Sequence, residues 1–190
     1  MSVVHNTQKP LRIGVFCEEV QMTDFASLDL FGNLTPKIID VVAQLQPNLA
    51  SLKSLAVPIE FLYISSSADL AWCTPEMYVK PTHTYENAPC DLDILLICQK
   101  ESLTYLREAS KQTKVKLTVC IGGIWLARNG VLNGKKATTN RVMLDMAKQM
   151  FPDVEWLDQR WVVDDGHSNG AQIWTAGGAG CDRSSMRVHH

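Results

Sequence analysis

Motifs that would mark several common classes of protein are missing from this chain. Its six cysteines stand at positions 17, 73, 90, 98, 120 and 181, and no two of them form the CxxC pair that zinc sites commonly use. No apolar run approaches the roughly 20 residues that a helix needs to span a bilayer. Charges of both signs are interspersed and the net charge is −2, so neither nucleic acid nor a membrane surface is an expected partner.

The N-terminal residues Met1–Pro10 are polar and lack the apolar core of a secretory signal. We therefore expect a cytoplasmic protein whose cysteines are reduced thiols. A composition of 46% hydrophobic and 20% charged residues is typical of a globular protein. Since the sequence has no internal repeat or linker, we predict one domain over residues 11–178, a disordered segment at 1–10 and a polar tail at 179–190.

Short apolar runs of β-prone residues alternate with helical segments along the chain. Leu11–Cys17, Ile59–Ser65 and Leu92–Cys98 are largely apolar, as is typical of strands buried on both faces of a sheet. Helices are predicted after Thr35 and over 102–111, 124–128 and 142–150, further strands over 116–120, 135–139, 154–157, 161–163 and 172–175, and an edge hairpin within 66–89. The alternation predicts an α/β fold in which helices cover a parallel sheet.

Cys120 stands at the end of a predicted strand and directly before a helix. Ligands of parallel α/β sheets bind beyond the carboxyl ends of the strands, where Cys120 would lie. The Ile121-Gly122-Gly123 sequence that follows has the mechanics of a nucleophile elbow, in which small residues let strand and helix approach closely. The helix dipole would favour the thiolate at this position. Burial as an ordinary structural cysteine is the alternative.

The segment TVCIGGIWLARNGVLNGKKATT (Thr118–Thr139) resembles the elbow region of the ThiJ/PfpI superfamily, which has the class I glutamine amidotransferase-like fold. The similarity covers most of the chain with gaps and extends to Ile13–Gly32, Phe151–Gly166 and Ile173–Gly178. It is greatest toward the isocyanide (isonitrile) hydratase branch and its fungal relatives, whose loop pattern vQxxDxxxxD matches Val20, Gln21, Asp24 and Asp29. The resemblance implies a flavodoxin-like parallel sheet sandwiched by helices, usually in a homodimer.

The resemblance also implies a set of site residues and a reaction. Cys120 would be the nucleophile and Asp24 its acidic partner, with Glu18 and Glu19 on the same loop as rivals for that role. Ile121 and Gly122 would line the oxyanion site and pocket. In this branch a thiolate attacks the carbon of a small isocyanide, and water converts the resulting thioimidate to an N-substituted formamide. No cofactor or metal is implied, and a place in isocyanide secondary metabolism would fit.

Histidine is missing from the positions where other branches of the family carry a Cys–His dyad. His83 and His167 lie in segments that do not match a dyad position, and the other histidines, His5, His189 and His190, are terminal. Asn140 follows the Ala-Thr-Thr segment, where many relatives have His-Trp. These positions favour the hydratase branch over the peptidase branch.

Three further departures from the family pattern predict slow turnover. Ile121 stands where relatives commonly have threonine, and the loop after Ile97 looks several residues short. The chain ends in CDRSSMRVHH, where relatives continue into a long C-terminal helix, so that helix is expected to be missing. The departures leave open a second hypothesis, a non-catalytic relative such as a redox- or stress-responsive binding protein that keeps the fold and a reactive thiol.

Overall fold

A computed structural model describes residues 9–98, 102–165 and 170–178 of the chain. Several sequence-based predictions lie outside these residues. They are the disorder of residues 1–8, the length of the loop at 99–101, the position of His167 and the polar tail beyond residue 178.

Strands and helices alternate through the described residues. The strands are β1 (Leu11–Phe16), β2 (Val20–Gln21), β3 (Ile59–Ser65), β4 (Ala71–Thr74), β5 (Met77–Val79), β6 (His83–Thr84), β7 (Ile94–Ile97), β8 (Val115–Val119), β9 (Lys136–Ala137), β10 (Glu155–Trp156), β11 (Trp161–Asp164) and β12 (Gln172–Ala176). The α-helices are α1 (Ala26–Gly32), α2 (Pro36–Leu45), α3 (Leu103–Gln112), α4 (Gly122–Arg128) and α5 (Leu144–Met150). Short 3-10 helices cover Met22–Phe25, Pro47–Leu55 and Arg141–Met143.

A seven-stranded sheet forms the centre of the fold, in the order β11-β12-β8-β7-β1-β3-β6. Its neighbours pair in parallel, except that β11 runs antiparallel to β12. The edge hairpin predicted within 66–89 is present as β4 and β5, which join β2 in a separate three-stranded sheet. The predicted α/β fold with a mostly parallel, flavodoxin-like sheet is therefore confirmed.

Strand β7 illustrates why the predicted strands are apolar almost throughout. Leu95 and Ile97 pack into an apolar cluster on one face of the sheet, together with residues of α3, α4 and α5. Leu96 and Cys98 pack into a cluster on the other face, against which Phe25, Leu28 and Phe31 of the α1 region lie. Successive side chains of a strand point to opposite faces, so a sheet covered on both faces needs apolar residues at every position.

Three helices differ from the sequence-based predictions. Helix α1 occupies part of a stretch interpreted as loop, and the predicted helix over 142–150 is divided into the 3-10 helix Arg141–Met143 and α5. Helix α4 begins at Gly122, two residues before the predicted start, so Cys120 is separated from it by Ile121 alone. The early start brings the first turn of α4 next to Cys120.

The parallel pairing brings the carboxyl ends of three central strands together. Strand β7 lies between β1 and β8, with Val15 opposite Leu96 and Ile97 opposite Thr118. The residues that follow these strands therefore meet at one edge of the sheet: Cys17–Asp24 after β1, Cys98 after β7 and Cys120 after β8. This edge is where a ligand of an open α/β sheet is expected.

Candidate active site

Cys120 occupies a left-handed turn between β8 and α4. Its φ of +57° is a conformation that costs a non-glycine residue about 1 kcal/mol or more and is concentrated at functional sites. The surroundings impose the turn: the Cys120 N–H donates to the carbonyl of Ala176 at 3.0 Å, and the Cys120 carbonyl accepts from the hydroxyl of Thr139 at 2.9 Å and the N–H of Asn140 at 3.2 Å. The backbone thus has the geometry of a nucleophile elbow.

The two glycines after Cys120 let the first turn of α4 approach its neighbours. A Cβ on Gly122 would overlap the carbonyl oxygen of Ile97 at the end of β7, and a Cβ on Gly123 would lie 2.9 Å from the carbonyl oxygen of Thr138. Neither backbone oxygen can move without disturbing a strand or the segment that holds the elbow. Gly122, predicted as a pocket residue, is therefore buried at the contact between α4 and β7.

The Ala-Thr-Thr segment, residues 137–139, begins at the last residue of β9 and helps to fix the elbow through hydrogen bonds. The Thr138 N–H donates to the hydroxyl of Thr175 on β12 at 2.8 Å, and the Thr138 hydroxyl donates to the carbonyl of Gln159 at 3.0 Å. The next residue, Thr139, holds the Cys120 carbonyl. Both threonines are buried, so these bonds form away from water and fix the position of the turn.

The thiol of Cys120 is largely buried, with 8% of the residue exposed. It packs in an apolar cluster that includes Val20, Val119 and Cys98, with the partly buried Ile121 against it. The side-chain amide nitrogen of Asn140 lies 3.2 Å from Sγ and donates to it. The sequence marked Asn140 only as a residue standing where relatives have histidine, so its contact with the thiol was not predicted.

Asp24 lies on the 3-10 helix Met22–Phe25, which covers the carboxyl ends of β1 and β7. Only 3% of the residue is exposed, and its Oδ2 atom is buried without a hydrogen-bond partner. Burial raises the pKa of Asp24 to about 6. The Asp24 carbonyl accepts from the thiol of Cys98 at 3.7 Å, which places Asp24 against the same cluster that holds Cys120.

The two rival carboxylates of the loop are placed differently. Both oxygens of Glu18 are engaged by Ser66: Oε1 accepts from the hydroxyl at 2.7 Å and Oε2 from the N–H at 3.1 Å. The Tyr85 hydroxyl also lies 3.5 Å from Oε2. Glu19 is exposed and has a φ of +55°. Among the three, Asp24 alone has a buried side chain, and its pKa of about 6 suits proton transfer.

His83 is remote from the elbow. It lies on β6, the edge strand four positions from β8 in the sheet, and its Nδ1 lies 2.9 Å from the hydroxyl of Thr82. Strands are spaced about 4.8 Å apart, so roughly 19 Å separates the two strands. His5, His167, His189 and His190 lie outside the described residues.

We expect Cys120 to be alkylated before the other thiols at pH 7.5. Burial raises the pKa of Cys17 to about 12, and burial together with the charges of Glu108 and Asp91 raises the pKa of Cys90. Cys120 instead receives an amide N–H at its sulfur, which favours the thiolate. Limiting iodoacetamide followed by peptide mass spectrometry measures the order. First labelling at any other cysteine would show that the elbow does not activate its thiol.

Asp24 should also make the stability of the protein depend on pH. Its pKa rises from 3.8 to about 6 on folding, so the stability it contributes is fully present below about pH 4 and is lost as the pH rises through 6. Between pH 5 and pH 7 the wild type should lose about 1 kcal/mol of unfolding free energy that an Asp24→Asn variant keeps. Urea unfolding at pH 5, 6 and 7 measures this difference. Parallel curves for the two proteins would mean that Asp24 titrates normally.

Comparison with known proteins assigns a family to the part of the chain that includes Cys120 and Asn140. A model of the DJ-1/PfpI family matches residues 58–179. The isonitrile hydratase of Pseudomonas putida is 29% identical over 111 residues, which make up 52% of this chain and 45% of that protein. Less than half the length of this curated relative is therefore matched.

Solved structures share the fold at low sequence identity. A ThiJ/PfpI family protein from Pseudomonas syringae has a TM-score of 0.65 at 16% identity, covering 90% of this chain and 64% of that one. An AraC family transcriptional regulator from Pseudomonas putida has a TM-score of 0.63 at 15% identity, covering 90% and 85%. Schizosaccharomyces pombe DJ-1 has a TM-score of 0.56 at 16% identity, covering 90% and 84%.

Within the described segments, His, Cys, Asp and Glu side chains form no group of three placed to hold a metal ion. Among the helices of those segments, none has both the length and the apolar character that crossing a bilayer requires.

Proposed function

Since the chain belongs to the DJ-1/PfpI family, we propose that it is an isonitrile hydratase-like lyase that uses Cys120 as its nucleophile. The observation that carries the proposal is a buried thiol on a left-handed elbow, in an apolar cluster whose Cys98 donates to the backbone carbonyl of a residue with a buried carboxyl group. That carboxyl, Asp24, has a pKa of about 6. The sequence similarity to the Pseudomonas putida hydratase points to the same chemistry.

The first step of the proposed reaction forms the bond between sulfur and carbon. The Cys120 thiolate attacks the terminal carbon of R–N≡C, and that carbon takes the proton of the Asp24 carboxyl group. The products are the thioimidate R–N=CH–S–Cys120 and the Asp24 carboxylate. A carboxyl group with a pKa of about 6 suits this step, since it can donate a proton near neutral pH and is readily protonated again.

The second step releases the product with water. The Asp24 carboxylate takes one proton from water as the water oxygen adds to the thioimidate carbon. The nitrogen takes the other proton of that water, and the bond from carbon to sulfur breaks. The products are R–NH–CHO, the Cys120 thiolate and the protonated Asp24, so one isocyanide and one water give one formamide. The backbone N–H groups of Ile121 and Gly122 at the start of α4 are the candidate donors to the oxygen.

The apolar surroundings of Cys120 favour an uncharged substrate. Val20, Val119 and the partly buried Phe25 and Ile121 pack in the same cluster as the thiol. An isocyanide carries no net charge and can enter such a site without the cost of burying an ion. We propose a small isocyanide as the substrate, acted on by a homodimer as in the related branch.

The proposal is tested by incubating the protein with an aryl isocyanide at pH 7.5 and measuring the formamide by liquid chromatography and mass spectrometry. We expect formamide above the buffer rate, at a turnover below about 1 s⁻¹ because Ile121 offers no hydroxyl beside the sulfur. Formamide formed no faster than in buffer alone would rule out hydratase activity and favour the second hypothesis, a non-catalytic relative that keeps a reactive thiol.

A further inference from the structure

Asn140 donates two hydrogen bonds to Cys120. Its backbone N–H donates to the Cys120 carbonyl at 3.2 Å, and its side-chain Nδ2 donates to the Cys120 sulfur at 3.2 Å. The first contact fixes the position of Asn140 relative to the elbow, and the second places an N–H donor on the sulfur. Thr139 supports both, since its hydroxyl binds the same carbonyl.

The direction in which the Asn140 amide points is set by a second hydrogen bond. Its Oδ1 accepts from the N–H of Val142 at 3.0 Å, as the cap of the 3-10 helix Arg141–Met143. If the amide were turned over, its NH2 group would face the Val142 N–H, and two donors would oppose each other. The capping bond therefore requires that nitrogen, not oxygen, faces Sγ.

Three charged or titratable groups of this region are bound elsewhere or would carry the wrong charge. The guanidinium of Arg141, the next residue, donates through Nε to Asp158 at 2.7 Å. The thiol of Cys98 packs in the same cluster as Cys120 and donates to the backbone carbonyl of Asp24, whose carboxyl group is the other titratable group here. Both of these become anions when they titrate, so neither can stabilise a thiolate.

We propose that Asn140 is a catalytic residue that stabilises the Cys120 thiolate through its side-chain N–H and orients the sulfur for attack. The assignment rests on the proposed function, because it gives the hydratase a nucleophile without a histidine base. An amide does not titrate in the accessible pH range, so the thiolate gains a fixed donor and no proton acceptor. Asp24 is then left as the group that moves protons.

Two substitutions separate the thiolate contact from the capping role. Asn140→Asp keeps the size of the side chain and an oxygen for Val142 but replaces the donor on sulfur with a second oxygen. Asn140→Ser also keeps a capping oxygen, but it is too short to reach sulfur and adds no charge. The matched control is Arg141→Gln, which changes a neighbouring charge that is bound to Asp158 and not to the thiol.

The experiment measures the rate of alkylation of Cys120 by iodoacetamide from pH 5 to pH 10 in the full chain, read by peptide mass spectrometry. Hydrogen bonds to charged groups correspond to about one pKa unit or more. We expect Asn140→Ser to raise the midpoint of the curve of alkylation rate against pH by about one pH unit and to slow alkylation at pH 7 about tenfold. Asn140→Asp should raise this midpoint further. Arg141→Gln should keep the wild-type midpoint.

An unchanged midpoint in both folded Asn140 variants would overturn the assignment, since a capping role alone leaves the thiol unaffected. Because alkylation needs no isocyanide, its outcome is independent of the hydratase assay. A raised midpoint in a chain that makes no formamide would support the thiolate contact and remove only the proposed reaction. Thermal melting of each variant shows whether it is folded, and Asn140→Ser serves if Asn140→Asp does not fold.

Discussion

Replacing Cys120 with serine should reduce formamide formation by roughly 10⁴-fold or more, the scale on which loss of a nucleophile acts in other covalent enzymes. A hydroxyl is a weak nucleophile without an adjacent base, and the Asn140 amide that donates to the sulfur cannot act as one. The substitution changes one atom at an elbow whose hydrogen bonds are made by the backbone. The fold should therefore persist.

The matched control for this variant is Cys90→Ser. Cys90 is half-buried and packs on the opposite face of the sheet, away from the elbow cluster. The Cys90→Ser variant should hydrate the isocyanide at the wild-type rate, measured as formamide per protein under saturating substrate. Activity that survives in Cys120→Ser and falls in Cys90→Ser would move the nucleophile away from the elbow.

Asp24→Asn should lower the rate of hydration by about 10²–10⁴-fold, the usual contribution of a positioned general acid and base. Asparagine has nearly the shape of aspartate but can neither give up nor take the proton. The loss should appear in kcat, because proton transfer belongs to the reaction and not to substrate binding. The same variant should lose the pH dependence of stability described above, so one substitution would weaken catalysis and flatten the stability curve.

Glu18→Gln is the matched control for Asp24→Asn. Glu18 lies on the same loop, but its carboxylate is occupied by Ser66. We expect this variant to keep the wild-type rate and Glu19→Gln to do the same, since Glu19 is exposed. A normal rate in Asp24→Asn with a large loss in Glu18→Gln would transfer the acid–base role to Glu18.

The sequence predicts the sheet and the elbow because both depend on local patterns. Continuous apolar runs such as Leu92–Cys98 indicate strands covered on two faces, and β7 packs into apolar clusters on both. The succession of strand, Cys120, Ile121 and two glycines predicts a tight turn into a helix, and α4 begins at Gly122. Parallel pairing then brings the strand ends together without further information.

The parts of the site that the sequence does not predict depend on contacts between distant segments. The resemblance names Asp24 as the acidic partner, but the residue types alone leave Glu18 and Glu19 as rivals, and burial and the bonds from Ser66 distinguish them. Asn140 lies 20 residues after Cys120, and its contact requires both the Ala-Thr-Thr segment and the cap at Val142. Helix α1 was missed because α2 alone begins with a clear N-terminal signal, Thr35-Pro36.

Ile121 determines which step of the proposed reaction should be slow. Its side chain packs against the apolar cluster and gives α4 no capping hydrogen bond. Attack by the thiolate needs no oxyanion donor, whereas the later collapse of the tetrahedral intermediate formed by water places developing charge on its oxygen. The backbone N–H groups of Ile121 and Gly122 remain as donors, but the Ile121 side chain adds no hydroxyl to them, and one oxyanion donor is typically worth about 10²–10³-fold. The covalent intermediate should therefore accumulate before the formamide is released.

Rapid-quench peptide mapping of the intermediate tests the central claim that Cys120 attacks the isocyanide. The wild-type protein is mixed with excess aryl isocyanide, quenched in acid at times from milliseconds to minutes, and digested for mass spectrometry. The account predicts that the peptide containing Cys120 gains the mass of one isocyanide before formamide appears, and that no other cysteine does. Formamide appearing while that peptide stays unmodified at every time, or the added mass on another cysteine, would contradict it.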